Sequence, residues 1–87
     1  MEAILSNSKE LIIRGFKTHI VAETLCKDLK DLLLSKDLNM YFFLEGSPGP
    51  LGEGMVIKVV FSRRLSSADI EALKKFFNVR GIYFITK

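Results

Sequence analysis

Several residue types are rare or missing in this chain of 87 residues, and each absence excludes a class of protein. The single cysteine, Cys26, excludes an internal disulfide. With one cysteine and one histidine, His19, the chain lacks the Cys/His sets that hold structural zinc, so we expect no metal site. Glutamine and tryptophan are absent while Lys, Glu, Ile and Leu are common, which favours a heat-adapted source.

Long hydrophobic segments are also missing. No apolar run approaches the roughly 20 residues that a membrane span requires. The opening residues, MEAILSNSKE, contain neither the basic nor the long apolar region of a signal peptide. We therefore expect a soluble, cytoplasmic protein.

What the chain does contain is enough for one folded domain over residues 1–87. Apolar residues make up 48% of the sequence, which allows a real core. The 13 basic and 10 acidic residues give a net charge of +3. This mild excess permits a nucleic-acid partner without requiring one.

Hydrophobic patterning predicts four strands and two helices. The strands are expected at 9–16, 39–45, 54–61 and 79–87. The first helix follows Thr18, a candidate N-cap, and carries an apolar stripe from Val21 onwards. The second helix, 65–78, opens with a capping box formed by Ser66 and Asp69. Residues 1–8, with EAIL at 2–5, are either an extra strand or a loose arm.

The order β-α-β-β-α-β resembles the ferredoxin-like plait over residues 9–87. The resemblance implies an α+β fold with a four-stranded antiparallel sheet of order 4-1-3-2 and two helices on one face. The opposite face then has no cover within the chain. The likeness is one of element order, which many unrelated functions share.

The uncovered face is expected to be mostly apolar. Alternation along the third strand puts Lys58 on this face, because a lysine avoids the core. The association residues predicted there are Ile12, Val56, Val60, Tyr83 and Ile85. An exposed apolar patch normally meets a partner, so we expect a homodimer or a subunit of a larger assembly, joined by sheet faces or edge strands. The alternative is that the N-terminal arm folds over the face.

A second candidate site lies at one end of the predicted sheet. The loop at 46–54 is rich in glycine and proline, and it joins strands at the end where the first helix begins. A helix N-terminus with basic side chains favours anions, so a small phosphate or carboxylate ligand is one hypothesis. Its predicted contacts are Arg14, Lys17, Thr18, His19 and Arg80. Glu45, Glu53 and two prolines weaken an anion cradle and favour a plain connecting loop.

The last strand, R80-GIYFITK-87, resembles the RNA-recognition-motif signature K/R-G-F/Y-G/A-F-V-x-F/Y. Arg80, Gly81 and Phe84 match, while Ile82 and Lys87 replace aromatic positions. The resemblance implies RNA binding as an alternative function. Arg80 and Lys58 are among the residues predicted to bind an anion or a nucleic acid.

No stretch identifies a reaction, because no nucleophile, base and orienting group are paired. We therefore expect a non-catalytic association module without a cofactor. Nucleic-acid binding is the alternative, and a small-anion sensor using the Arg14–His19 end is the third hypothesis.

Overall fold

A computed structural model describes residues 1–15, 19–32, 38–45 and 56–87 of the chain. Within these ranges there are five strands and two helices. In chain order they are β1 (Glu2–Ser6), β2 (Glu10–Arg14), α1 (His19–Leu32), β3 (Met40–Glu45), β4 (Val56–Phe61), α2 (Ser67–Val79) and β5 (Tyr83–Thr86). The mixed α+β class is as predicted.

The five strands form one sheet of order β3-β4-β2-β1-β5. All neighbours are antiparallel except β1 and β5, which are parallel. The predicted sheet of four strands is therefore wrong, because β1 lies between β2 and β5 and separates two strands that were expected to pair. The ferredoxin-like plait is not confirmed.

The N-terminal residues that the sequence left undecided form β1 through a tight hairpin with β2. The amide of Lys9 donates to the carbonyl of Ser6 at 3.1 Å, and Asn7 and Ser8 both have φ of 55°. Two positive φ values are the mark of a type I′ turn, whose twist matches that of paired strands. The first residues thus extend the sheet and do not lie across its face.

The core lies between the sheet and the two helices. Along β1, β2 and β4, alternate side chains are buried, and both helices contribute buried side chains to the same cluster. Phe77 of α2 is fully buried, and its ring packs edge-on against Phe76 at 5.2 Å and stacks on Phe84 of β5 at 5.6 Å. The core is formed by Ala3, Leu5, Leu11, Ile13, Ala22, Leu25, Leu29, Leu38, Ile57, Val59, Phe61, Leu65, Leu73, Phe76, Phe77 and Ile82.

Helix α2 begins as its sequence predicts. Ser66 accepts a hydrogen bond from the amide of Asp69 at 3.2 Å, and the Asp69 carboxylate accepts one from the amide of Ser66 at 3.2 Å. These reciprocal bonds are the capping box.

The C-terminal end of helix α2 differs from the prediction. Val79 was expected to start the last strand, but it is the final helical residue. Beyond it, the Ile82 amide donates to the Phe77 carbonyl at 2.9 Å and the Gly81 amide to Asn78 at 3.1 Å. This is a Schellman motif, in which Gly81 takes a φ of 71° and Ile82 turns back into the core.

Neither helix in the described part of the chain is long and apolar enough to cross a membrane.

Candidate association surface

One side of the sheet carries no helix among the described residues, and we call it the open face. Strand register and burial assign its side chains, which alternate with the core positions. They are Glu2, Ile4, Ser6, Glu10, Ile12, Arg14, Tyr41, Phe43, Glu45, Val56, Lys58, Val60, Tyr83 and Ile85. The face is therefore built from all five strands.

A single row of side chains crosses the middle of the open face. Pairing sets Ile85 beside Ile4, Ile4 beside Ile12, Ile12 beside Lys58 and Lys58 beside Phe43. We call these five residues the Ile4 row. Four of its members are apolar, and Phe43 is 50% exposed. Ile85, Ile4 and Ile12 thus form a continuous apolar centre, and Lys58 separates it from Phe43.

Four of the five charged side chains on the open face are paired within the chain. Arg14 of β2 forms a salt bridge with Glu2 of β1, and the Lys58 ammonium lies 3.3 Å from the Glu10 carboxylate. These pairs leave Glu45, at the edge of the sheet, as the remaining acidic strand residue of the face. Exposed pairs of this kind add little stability, but they cancel the local charge.

The five association residues predicted from sequence, Ile12, Val56, Val60, Tyr83 and Ile85, all lie on the open face. The side chain of Tyr83 is 68% exposed. The side chains of the other four are half-buried.

Sequence reasoning missed three apolar residues of the open face: Ile4, Tyr41 and Phe43. Ile4 was missed because its segment was left between strand and arm. Tyr41 and Phe43 were missed because β3 carries apolar residues at both its odd-numbered and its even-numbered positions, so the pattern does not show which set faces the core. The charge of Glu45 was the available signal, since Tyr41 and Phe43 share its parity and hence its face.

Of the residues predicted for an anion site, the structure describes the side chains of Arg14 and Arg80, and it does not bring these two together. Arg14 lies on the open face, whereas Arg80 lies on the helical side. There its guanidinium is 3.7 Å from the centre of the Phe76 ring and 3.4 Å from the Asp28 carboxylate. Lys17, Thr18 and the loop at 46–54 lie outside the described residues. His19 begins α1, and its side chain also lies outside them.

The RNA-recognition-like signature falls on β5 with its key positions turned inward. Ile82 is 6% exposed, and Phe84 packs on Phe77 in the core. Of this stretch, Tyr83 and Ile85 reach the open face. The side chain that matches a base-stacking aromatic, Phe84, therefore supports the core instead of offering a platform.

Cys26 lines a groove of about 340 Å³ between α1 and β3. Its side chain is half-buried and packs against the core. Burial raises the pKa of its thiol, and the nearby positive charge of Lys30 offsets part of that rise. A raised pKa disfavours the thiolate, which is the reactive form. Cys26 thus has the character of a small apolar residue, in agreement with its place on the predicted apolar stripe.

Among the described residues, no three His, Cys, Asp or Glu side chains lie close enough together to hold a metal ion. Comparison with protein-family models, with curated proteins and with solved structures finds no match to this chain. The geometry of the open face is therefore the basis for a functional interpretation.

Proposed function

We propose that this protein is a non-catalytic association module that binds a second copy of itself through the open face. The observation that carries the proposal is the Ile4 row, which is apolar on four of the five strands and has no cover among the described residues. Apolar surface of this extent normally meets a partner.

The charge of the face favours a second copy over a charged partner. A two-fold dimer places the same surface on both sides of the contact, so an unbalanced charge would repel itself. Here Glu2 with Arg14 and Glu10 with Lys58 cancel within each chain, and the one charge left over, Glu45, lies on the edge strand β3. A phosphate backbone, in contrast, needs an excess of basic side chains, and this face has three acidic strand residues against two basic ones.

The size of the face sets the expected strength of the contact. Five strands about 4.8 Å apart and five residues of about 3.3 Å rise give a footprint of roughly 400 Å² per copy. Two copies together contribute roughly 800 Å² before side-chain relief is added, which is below the roughly 1,200–2,000 Å² that stable specific interfaces bury in total. We therefore expect an association that depends on protein concentration.

The substitution Ile4→Lys tests the proposal, because Ile4 lies in the row between Ile12 and Ile85, on the interior strand β1. In a two-fold dimer it would bury two unpaired ammonium groups near each other, which opposes association. We expect the dissociation constant, measured by analytical ultracentrifugation, to rise at least about tenfold, or about 1.4 kcal/mol.

Val79→Lys is the matched control. Val79 is an apolar residue with 75% exposure at the end of α2, remote from the open face, so the same change there should leave association intact. Circular dichroism confirms that both variants are folded. Equal dissociation constants for Ile4→Lys and Val79→Lys would show that the open face is not the contact.

A further inference from the structure

Strand β3 forms one edge of the sheet and is poorly protected. It pairs with β4 over six residue pairs without a bulge, and its outer side has no strand partner among the described residues. Tyr41, Phe43 and Leu44 are between 50% and 57% exposed, so apolar side chains project on both faces of this edge.

Edge strands are normally shielded from pairing by lysine, proline, a bulge or short length. Met40–Glu45 has none of these, and its one charge, Glu45, is at the strand end. The opposite edge, β5, differs in two respects: it has four residues and is followed directly by Lys87. The contrast singles out β3 as the edge suited to pairing with another strand.

We propose that β3 pairs antiparallel with β3 of a second copy, so that two sheets join into one of ten strands. We call this the edge contact. The edge contact is a second association surface beside the open face. It rests on the proposed function, that this protein is an association module. The open face and the β3 edge point in different directions, so one chain can use both, and the assembly closes at four copies when the two two-fold axes intersect at right angles.

The parity of the strand limits the register. Residues directly opposite each other in a continuous sheet share a face, so the numbers of two paired residues must add to an even sum. When the numbers of paired residues add to 84, Phe42 lies opposite Phe42 of the second copy. Tyr41 then lies opposite Phe43, and Met40 opposite Leu44. Every one of these pairs is apolar, which suits cross-strand packing.

Neighbouring registers are poorer. In the register whose residue numbers add to 86, the charged Glu45 lies opposite the aromatic Tyr41. In the register whose numbers add to 82, the aromatic Phe43 lies opposite the polar Asn39. In the register of 84, Glu45 lies opposite Asn39, and the two copies of Glu45 are about 20 Å apart along the ladder. No like charges meet in this contact, so a second copy is a compatible partner.

Leu44→Lys tests the edge contact without altering the open face, because Leu44 is exposed and has the opposite parity. It places a lysine in the unprotected edge, a natural block to strand pairing. We expect the assembly mass of Leu44→Lys, measured by ultracentrifugation, to be half that of the unmodified protein. The same mass and concentration dependence as the unmodified protein would overturn the proposal.

The two proposals fail in different ways. If Ile4→Lys halves the mass and Leu44→Lys does not, the open face stands and the edge contact is overturned. If Leu44→Lys halves the mass and Ile4→Lys does not, the edge contact stands and the open-face contact fails. A single-chain mass for the unmodified protein overturns both.

Cross-linking tests the register independently of mass. Tyr41→Cys and Phe43→Cys are made separately in a Cys26→Ser background and then mixed. In the proposed register their Cα atoms are about 4.5–5.5 Å apart across the contact, within the roughly 4.4–6.8 Å that a disulfide requires, whereas two copies of the same variant meet only diagonally at about 7–8 Å.

We expect the mixed disulfide to form in large excess over either homodimeric one, and mass spectrometry identifies it because the two variants differ in mass. A statistical distribution of cross-links, or none, would overturn the register.

Discussion

Two glycines with positive φ serve different purposes in this protein. Gly15, after β2, has a φ of 90°, and a Cβ placed on it would lie 2.9 Å from the Cα of Met1. Gly81, in the Schellman motif, has a φ of 71°, and a Cβ there would meet no atom within 4 Å. Gly15 is thus required both by its backbone angle and by close packing, and Gly81 by its angle alone.

The substitutions Gly15→Ala and Gly81→Ala should therefore differ in cost. Gly81→Ala is expected to lower the free energy of unfolding by about 1–2 kcal/mol, the usual penalty for the left-handed region. Gly15→Ala adds a backbone clash and should cost more. Urea denaturation of the two variants measures both values. Equal losses would contradict the close approach of Met1 to Gly15.

The reactivity of the Cys26 thiol tests whether burial and Lys30 set its pKa. Because burial raises its pKa, alkylation at mildly alkaline pH should be slower than for an unstructured thiol. Lys30→Met removes the charge that lowers the pKa, so the thiol pKa should rise further and the thiolate fraction should fall. The pH dependence of the iodoacetamide rate measures the pKa directly. An unchanged or lower pKa in Lys30→Met would contradict this account.

Among the elements, the start of α2 has the clearest chemical basis. Burial alone would raise the pKa of Asp69. The hydrogen bonds from the Ser66 amide and hydroxyl, together with the charge and hydrogen bond of Arg63, lower it below its ordinary value. A carboxylate with a lowered folded-state pKa stabilises the fold above its unfolded pKa of about 3.9, and that stability is lost as the pH falls through the folded value.

The variant Asp69→Asn should reveal this linkage. The difference in unfolding free energy between the unmodified protein and Asp69→Asn is expected to be constant above about pH 5 and to shrink as the pH falls below about 4. Ser66→Ala, which removes the cap itself, should cost about 1 kcal/mol at neutral pH. Denaturation curves at several pH values provide the test. A difference that does not change with pH would show that the Asp69 carboxylate is not held by the cap.

Local chemistry explains why some elements were predictable and others were not. Ser66 and Asp69 predict the start of α2 from sequence alone, because a capping box depends on two residues that are three positions apart. The end of α2 was misjudged because Val79 suits a strand locally, while the Schellman bonds to Phe77 and Asn78 depend on Gly81. The identity of β1 could not be decided locally, since its pairing with β5 joins residues about 80 positions apart in the chain.

At the scale of the whole molecule, the position of β1 changes the sheet order and widens the open face. It brings Ile4 and Glu2 beside Ile12 and Arg14, which extends the apolar centre and neutralises a charge. The sequence predicted the association residues on β2 and β4 because the charges of Arg14 and Lys58 mark the outward parity there, whereas β5 lies in an unbroken apolar run, Ile82 to Ile85, that carries no such mark. The contribution of β1 and β3 depended on pairing and parity that the sequence left open.

Because the open face has an apolar centre and four of its five charges are paired internally, self-association should resist salt. Added salt screens exposed charges but does not weaken apolar contacts. Binding to nucleic acid, in contrast, would weaken steeply with salt. The salt dependence of assembly therefore separates the proposed function from its alternative.

The solution mass of the unmodified protein, followed by light scattering from low to high micromolar concentration at low and high salt, tests self-association most directly. The account predicts a mass that rises with concentration to a multiple of the 9.9 kDa chain and that high salt does not reduce. A mass of 9.9 kDa throughout the range would contradict it.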